Sequence, residues 1–320
     1  MTARAVPKLL LLAACTPSAP DQPAAPNQPA VPNQPAAPNQ PAALAGPVLP
    51  EEAAIPAGPD GDAIRRGLAI ITDTRTAAPE NAGNHLRCAN CHLDAGRRAG
   101  AAPLWAAWGN FPAFRAKNGR INSFEKRVQD CFIYSINGMP PPLGGEVLLA
   151  VSAYAAWLAQ GQRIGASPPG RGFPAIAAPP LPPDDARGKA VFSKACAACH
   201  GADGQGLRDG GTVVNPPLWG PNSYNWGAGM AQVDKAAAFI RANMPVGNAG
   251  TLTVQQAWDV AWYIDGQTRP QDPRFAGDLA ATRTAHHDRP WSRYGTRVAG
   301  VMLGNPAVTP PHHTPPGHEF

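Results

Sequence analysis

Beyond its first fourteen residues the sequence has no apolar run long enough to cross a membrane, which takes about 20 residues. Cysteine is scarce, with six in 320 residues, and no C-x-x-C occurs outside two short runs. Between residues 59 and 166 the histidines are His85 and His92 alone. His85 reads as structural, so no second histidine stands ready for peroxidase-type chemistry. What is present is more telling. Both short runs continue into histidine, as Cys88-Ala-Asn-Cys91-His92 and Cys196-Ala-Ala-Cys199-His200. C-x-x-C-H is the attachment signature of c-type haem. The chemistry fixes that spacing: two thiols one helical turn apart add to the two vinyl groups, and the next residue offers an imidazole to the iron. Two copies predict two covalently bound haem c groups, with Cys88, Cys91, His92, Cys196, Cys199 and His200 as the attaching residues. A redox or zinc C-x-x-C does not explain two such runs.

A fifth cysteine, Cys15, ends Leu-Leu-Leu-Leu-Ala-Ala-Cys after a start carrying Arg4 and Lys8. A basic start, an apolar run and small residues before the cleavage point form a secretory signal. Leu12-Ala13-Ala14-Cys15 resembles a bacterial lipobox, so residues 1–15 are expected to be a lipoprotein-type signal peptide. The protein is then periplasmic, lipid-anchored to the outer membrane. A net charge of +5 and a pI near 9.0 would suit nucleic acid, but an exported haem protein meets none, and no nucleic-acid partner is expected.

A length of 320 residues allows about two domains. From Pro20 to Ala43 the chain repeats Pro-Asn-Gln-Pro-Ala-Ala, and residues 16–58 read as an extended, disordered tether. A proline-rich stretch, 167–183, parts the two haem motifs as a linker. Residues 276–320 read as a disordered tail, whose His312, His313 and His318 are solvated rather than metal-binding. The two remaining blocks, 59–166 and 184–275, look alike. Arg66-Gly-Leu-Ala69 precedes one motif and Arg187-Gly-Lys-Ala190 the other. Ala156-Trp-Leu-Ala-Gln-Gly-Gln162 and Ala261-Trp-Tyr-Ile-Asp-Gly-Gln267 follow them. Periodicity predicts helices over 146–159, 254–264, 233–242 and 123–136. The order helix, haem motif, long loop, helix resembles class I cytochrome c. The fold expected is therefore all-α, two tandem domains of that class, with haem supplying much of each small core.

His92 and His200 leave one axial position open on each iron. In the second block Met244-Pro245 follows a helix and resembles the axial Met-Pro of class I cytochromes, with Met230 as its rival. In the first block Cys131 and Met139 compete. Met139-Pro140 mimics the second block, but Cys131 lies in a basic setting of Arg115, Lys117, Arg120, Lys126 and Arg127 against Glu125. Arg127, Cys131 and Ser135 recur at i, i+4 and i+8, so they share a helix face. A guanidinium one turn from a thiol favours the thiolate.

At "CANCHLDAG", "APLW", "CFIYSINGMP", "PLWGPNSYNWGAGMAQ", "RANMP" and "DPRF" the chain resembles the thiosulfate dehydrogenase family, dihaem cytochromes c that join two thiosulfates into tetrathionate. The resemblance runs from about Ala63 to Phe275. It implies that Cys131, in a Cys-Phe-x-x-Ser-x-Asn-Gly motif, is the second ligand of the first iron beside His92, and that His200 and Met244 bind the second iron. It implies Arg127 in the active site, with the second family arginine falling near Lys117 or Arg115, and Ser135 beside them. Thiosulfate is a dianion, so the basic cluster would hold two mutually repelling substrates. Electrons would pass from the His/Cys haem through the His/Met haem to a soluble cytochrome or similar acceptor. The competing readings are a dihaem electron carrier using Met139 and Met244, a tetrathionate reductase, and another haem-thiolate sulfur enzyme.

Overall fold

The computed structural model describes residues 1, 46–210 and 212–309. The lipobox at Cys15, the Pro20–Ala43 repeat and His312, His313 and His318 lie outside the described residues.

Helix α1, Pro59–Thr72, begins with proline at its first turn and carries Asp60 and Asp62 there, where acidic groups suit the helix dipole. Helix α2, Phe124–Tyr134, is capped by Ser123, whose side chain accepts from the Lys126 amide. Helix α3, Glu146–Leu158, buries Leu148, Val151, Tyr154 and Leu158. The chain packs α1 against α3. Gly67 makes this crossing close: a Cβ there would collide with the Ala150 carbonyl oxygen and the Tyr154 Cβ.

The second half repeats the device. Helix α4, Asp185–Ala195, is capped by Asp184. Helix α5 spans Val233–Asn243, and helix α6, Val254–Asp265, opens on a Thr253/Gln256 capping box. Here α4 packs on α6, and a Cβ at Gly188 would strike the Asp259 carbonyl oxygen and the Tyr263 Cβ. The paired Arg-Gly-x-Ala runs thus have a physical cause, since each supplies the glycine of a close helix crossing. The Arg187 guanidinium also binds Asp259 at 2.8 Å. The four helices expected from periodicity are present, each within two residues of its predicted ends.

Three features depart from expectation. The fold is mostly helical but not all-α. Among the described residues, three two-stranded antiparallel hairpins pair loop backbone: β1 (Ala113–Arg115) with β2 (Arg120–Asn122), β3 (Leu207–Asp209) with β4 (Thr212–Asn215), and β5 (Arg297–Val298) with β6 (Val301–Met302). Residues 276–309 are not a tail. They form helix α7, Leu279–His286, and the β5–β6 hairpin, and they bury Tyr294, Leu303 and His287. Tyr294 packs edge-on to Trp226 at 5.7 Å, and Trp291 packs at a tilt against Trp258 at 4.6 Å. Apolar contact, not composition, decides this segment's fate. The stretch 167–183 also does more than connect. The carbonyls of Gly170 and Gly172 accept the amides of Gly100 and Ala102 at 2.6 and 2.8 Å, bracing the loop after the first haem motif.

Two hydrophobic cores result, one around α1, α2 and α3 and one around α4, α5 and α6, with Met230 packed against both. The loop 216–232 interlocks them. The Asn225 amide donates to the Tyr134 carbonyl at 3.1 Å, and the Asn225 side chain donates to the Ile133 carbonyl at 2.8 Å. Asn84 reaches the carbonyls of Ser135 and Ser223, both at 3.1 Å. No helix among the described residues is long and apolar enough to cross a membrane.

Candidate haem and substrate site

Cys88, Cys91 and His92 border a partly open cavity. Leu86, Leu104, Val128, Phe132, Ile136 and Val151 give it apolar walls. His92 Nδ1 lies 2.6 Å from the Ala102 carbonyl oxygen, which leaves Nε2 for an iron, the usual arrangement of a metal-bound imidazole. At the second motif His200 Nδ1 lies 2.9 Å from the Pro216 carbonyl oxygen and leaves Nε2 in the same way. Beside the cavity, fully buried Arg269 stacks on the wall residue Tyr224 at 4.4 Å, and its Nε and Nη1 have no partner. Free buried donors of that kind suit the acid groups of a haem. The residues therefore fit covalent haem at both motifs.

Cys131 is in the wall of this cavity with Ser135, and Met139 is not among the lining residues. The backbone of Met139 is tied down instead: its amide donates to the Asn81 carbonyl and its carbonyl accepts the Asn81 side chain, both at 3.1 Å. Arg127 Nη1 donates to Cys131 Sγ at 3.2 Å, as the i, i+4 spacing on α2 predicts. Burial pushes the Cys131 thiol up, but the Arg127 charge and the neighbouring His92 outweigh it, and the net shift is downward. The other buried thiols go the opposite way. Burial drives Cys88 up to about 11 and Cys91 up to about 12, with the Cys131 charge adding to both. Among these three sulfurs, Cys131 is the one whose thiol is shifted downward. Arg127 in turn is raised, first by that sulfur's charge.

The basic cluster splits in two. Arg115 is exposed on the β1–β2 hairpin. Lys117 folds inward, with Nζ donating to the Gly227 carbonyl at 2.5 Å and lying 3.2 Å from the Tyr134 ring centroid. Lys126 pairs with Asp130 at 3.4 Å. In the second half Met244 caps α5, its amide donating to Ile240 at 2.9 Å, and packs on the same core as Cys196. Met230, its rival, lines the first cavity instead. Sequence reasoning passed over Tyr224 and Arg274, and weighed Met230 only as a ligand of the second iron. Each lies in the quoted runs "PLWGPNSYNWGAGMAQ" or "DPRF", which signalled importance without a role.

The cytochrome c family profile matches residues 186–268. A thiosulfate dehydrogenase of Thiomonas intermedia (strain K12) is 49% identical over 256 residues, covering 80% of this chain and 82% of that one. The thiosulfate dehydrogenase of Stutzerimonas stutzeri (strain A1501) is 45% identical over 257 residues, covering 80% and 84%. The solved thiosulfate dehydrogenase TsdBA of Marichromatium purpuratum, in its "as isolated" form, superposes with a TM-score of 0.78 at 46% identity. That match covers 80% of this chain and 57% of the solved one, so the present chain spans somewhat over half its length. Sequence, fold and a haem-attachment cavity walled by a thiolate-prone cysteine agree, and the chain belongs to the thiosulfate dehydrogenase family of cytochrome c enzymes.

Proposed function

We propose that the chain carries two haem c groups in tandem cytochrome c domains and joins two thiosulfate ions into tetrathionate at the first. The observation that carries this reading is the 3.2 Å contact between Arg127 and the Cys131 sulfur in the wall of the first cavity. His92 and Cys131 would hold one iron, His200 and Met244 the other. When bound, the haems would supply two one-electron acceptors. The rest is done by side chains. The reaction, 2 S2O3²⁻ → S4O6²⁻ + 2 e⁻, forms one S–S bond between the outer sulfurs and moves no proton, so it needs no general acid or base. Its difficulty is electrostatic. Two dianions about 5 Å apart repel by on the order of 10 kcal/mol, even at an effective dielectric of 20. Arg127 and Lys117 offset that repulsion with fixed charges that need no reorganisation. Ser135, in the same wall, supplies a hydroxyl donor. The electrons leave to an external acceptor, for which a soluble cytochrome is the fitting class, and Cys15 anchors the exported protein to the outer membrane.

Product analysis with ferricyanide as acceptor tests the reading. Two thiosulfates should disappear and two ferricyanides be reduced for each tetrathionate formed. Sulfite or sulfate as the product would overturn it.

A further inference from the structure

Residues 272–294 do not merely pack; their polar groups converge on the helix that carries Cys131. Asp272 accepts Arg274 Nε at 2.9 Å and Nη2 at 2.6 Å. Its Oδ2 also lies 2.8 Å from His287 Nε2. His287 is itself pinned, stacked on the buried Tyr294 ring at 4.1 Å. A carboxylate gripped from two sides has its plane fixed, and the guanidinium it holds is aimed accordingly. Arg274 Nη1 takes no part in that grip. The guanidinium lies 5.3 Å from the centroid of Tyr134, the ring on which Lys117 sits at 3.2 Å.

Tyr134 is the residue three after Cys131 on α2, so the ring adjoins the reactive face. Three cations therefore follow one another along that face: Arg127 at the sulfur, then Lys117 and Arg274 at the ring. Of the two nearby carboxylates, Asp272 serves Arg274 and Asp130 pairs with Lys126. Lys117 has no ion pair among the described residues. Burial and the charges of Arg274 and Arg127 all disfavour its ammonium form, a penalty that a bound anion would relieve.

We propose that Lys117 and Arg274 form a second anion position beside the Arg127–Cys131 contact, holding the second thiosulfate, and that His287 acts through Asp272 as a positioning residue for Arg274. This rests on the two-thiosulfate reading above. It gives the segment 276–309 a purpose: that segment carries His287 and the Tyr294 ring behind it.

The test uses the haem-loaded enzyme in steady-state thiosulfate oxidation across a series of salt concentrations. Removing Arg274 alone would leave Asp272 buried without its partner, so the variant is Arg274→Gln with Asp272→Asn. The expected result is a thiosulfate KM raised at least tenfold with kcat within threefold. Its log(kcat/KM) should fall less steeply with ionic strength, and both haem spectra should be unchanged. Lys117→Met, outside the carboxylate network, should do the same. His287→Gln should raise KM less and add nothing on top of the Arg274/Asp272 double variant. If the Arg274/Asp272 variant keeps its haems and its KM, the proposal is wrong. It is equally wrong if Lys117→Met has wild-type affinity and salt dependence, whether or not the other variants fold. Product stoichiometry is measured in the same samples. A thiosulfate to tetrathionate ratio other than two to one removes the underlying reading, whereas a normal ratio with unmoved KM removes only the second position.

Discussion

Replacing Arg127 with methionine keeps the length of the side chain and removes its charge and donors. The structure shows what is lost: one charge-assisted N–H···S bond at 3.2 Å in a half-buried site. Hydrogen bonds to charged groups contribute about 1.5–3 kcal/mol. At about 1.4 kcal/mol per factor of ten, that alone lowers kcat/KM roughly 10- to 150-fold. Loss of the substrate contact adds to it. Packing should survive, because the neighbouring apolar positions Val128 and Phe132 are untouched and methionine fills an irregular gap well. The assay is thiosulfate-dependent ferricyanide reduction, alongside haem content by the pyridine haemochrome. Arg127→Lys should fall between wild type and Arg127→Met, since an ammonium keeps the charge but not the planar fork. A fully haem-loaded Arg127→Met enzyme within threefold of wild type would refute the placement of substrate at Cys131.

Further outcomes follow from the fold. Gly67→Ala and Gly188→Ala should each cost about 2 kcal/mol net, because the backbone collision at the helix crossing exceeds the roughly 1 kcal/mol that alanine returns to a helix. A Tm lower by roughly 4–8 °C is expected, and an unchanged melt would contradict the close crossing. Acidification should destabilise the C-terminal segment. Burial lowers His287 below its ordinary 6.5, the Arg274 and Lys117 charges add to this, and the Asp272 hydrogen bond only partly opposes it. The unfolded chain therefore takes up that proton first, and stability present above about pH 6.5 is lost below it. Melts at pH 7.5, 6.5 and 5.5 should show a falling Tm, with a shallower fall in His287→Gln; parallel slopes would count against the assignment. Fatty-acid labelling should mark the mature N-terminus, and a Cys15→Ala protein that stays equally membrane-bound would rule out the anchor.

The haem motifs were legible because covalent chemistry fixes their spacing. The Arg127–Cys131 contact was legible because it lies within one helix, where i, i+4 positions must meet. The recurring Arg-Gly-x-Ala run likewise pointed to two equivalent units, and the structure gives its reason at Gly67 and Gly188. What stayed hidden was long-range. Tyr224 and Met230 come to the first cavity from more than ninety positions beyond Cys131; nothing local marks Tyr224, and Met230 read only as a candidate for the second iron. Lys117 read as one more charge around the sulfur, whereas the β1–β2 hairpin turns it onto Tyr134 and Gly227. Residues 276–309 bury scattered residues such as His287, Tyr294 and Leu303 with no sustained period, so their composition resembled that of a tail.

The central claim is that Cys131, and not Met139, completes the coordination of the first iron and is needed for turnover. Low-spin ferric haem with a thiolate ligand has a compressed set of g-values, distinct from those of a histidine/methionine haem. Electron paramagnetic resonance of the oxidised wild type, Cys131→Ala and Met139→Leu, with thiosulfate oxidation measured on the same samples, tests it most directly. The wild type should show one haem of each kind. Cys131→Ala should lose the compressed signal and nearly all activity while the other signal stays, and Met139→Leu should keep both. A fully active Cys131→Ala enzyme, with a histidine/methionine signal lost in Met139→Leu, would contradict the account.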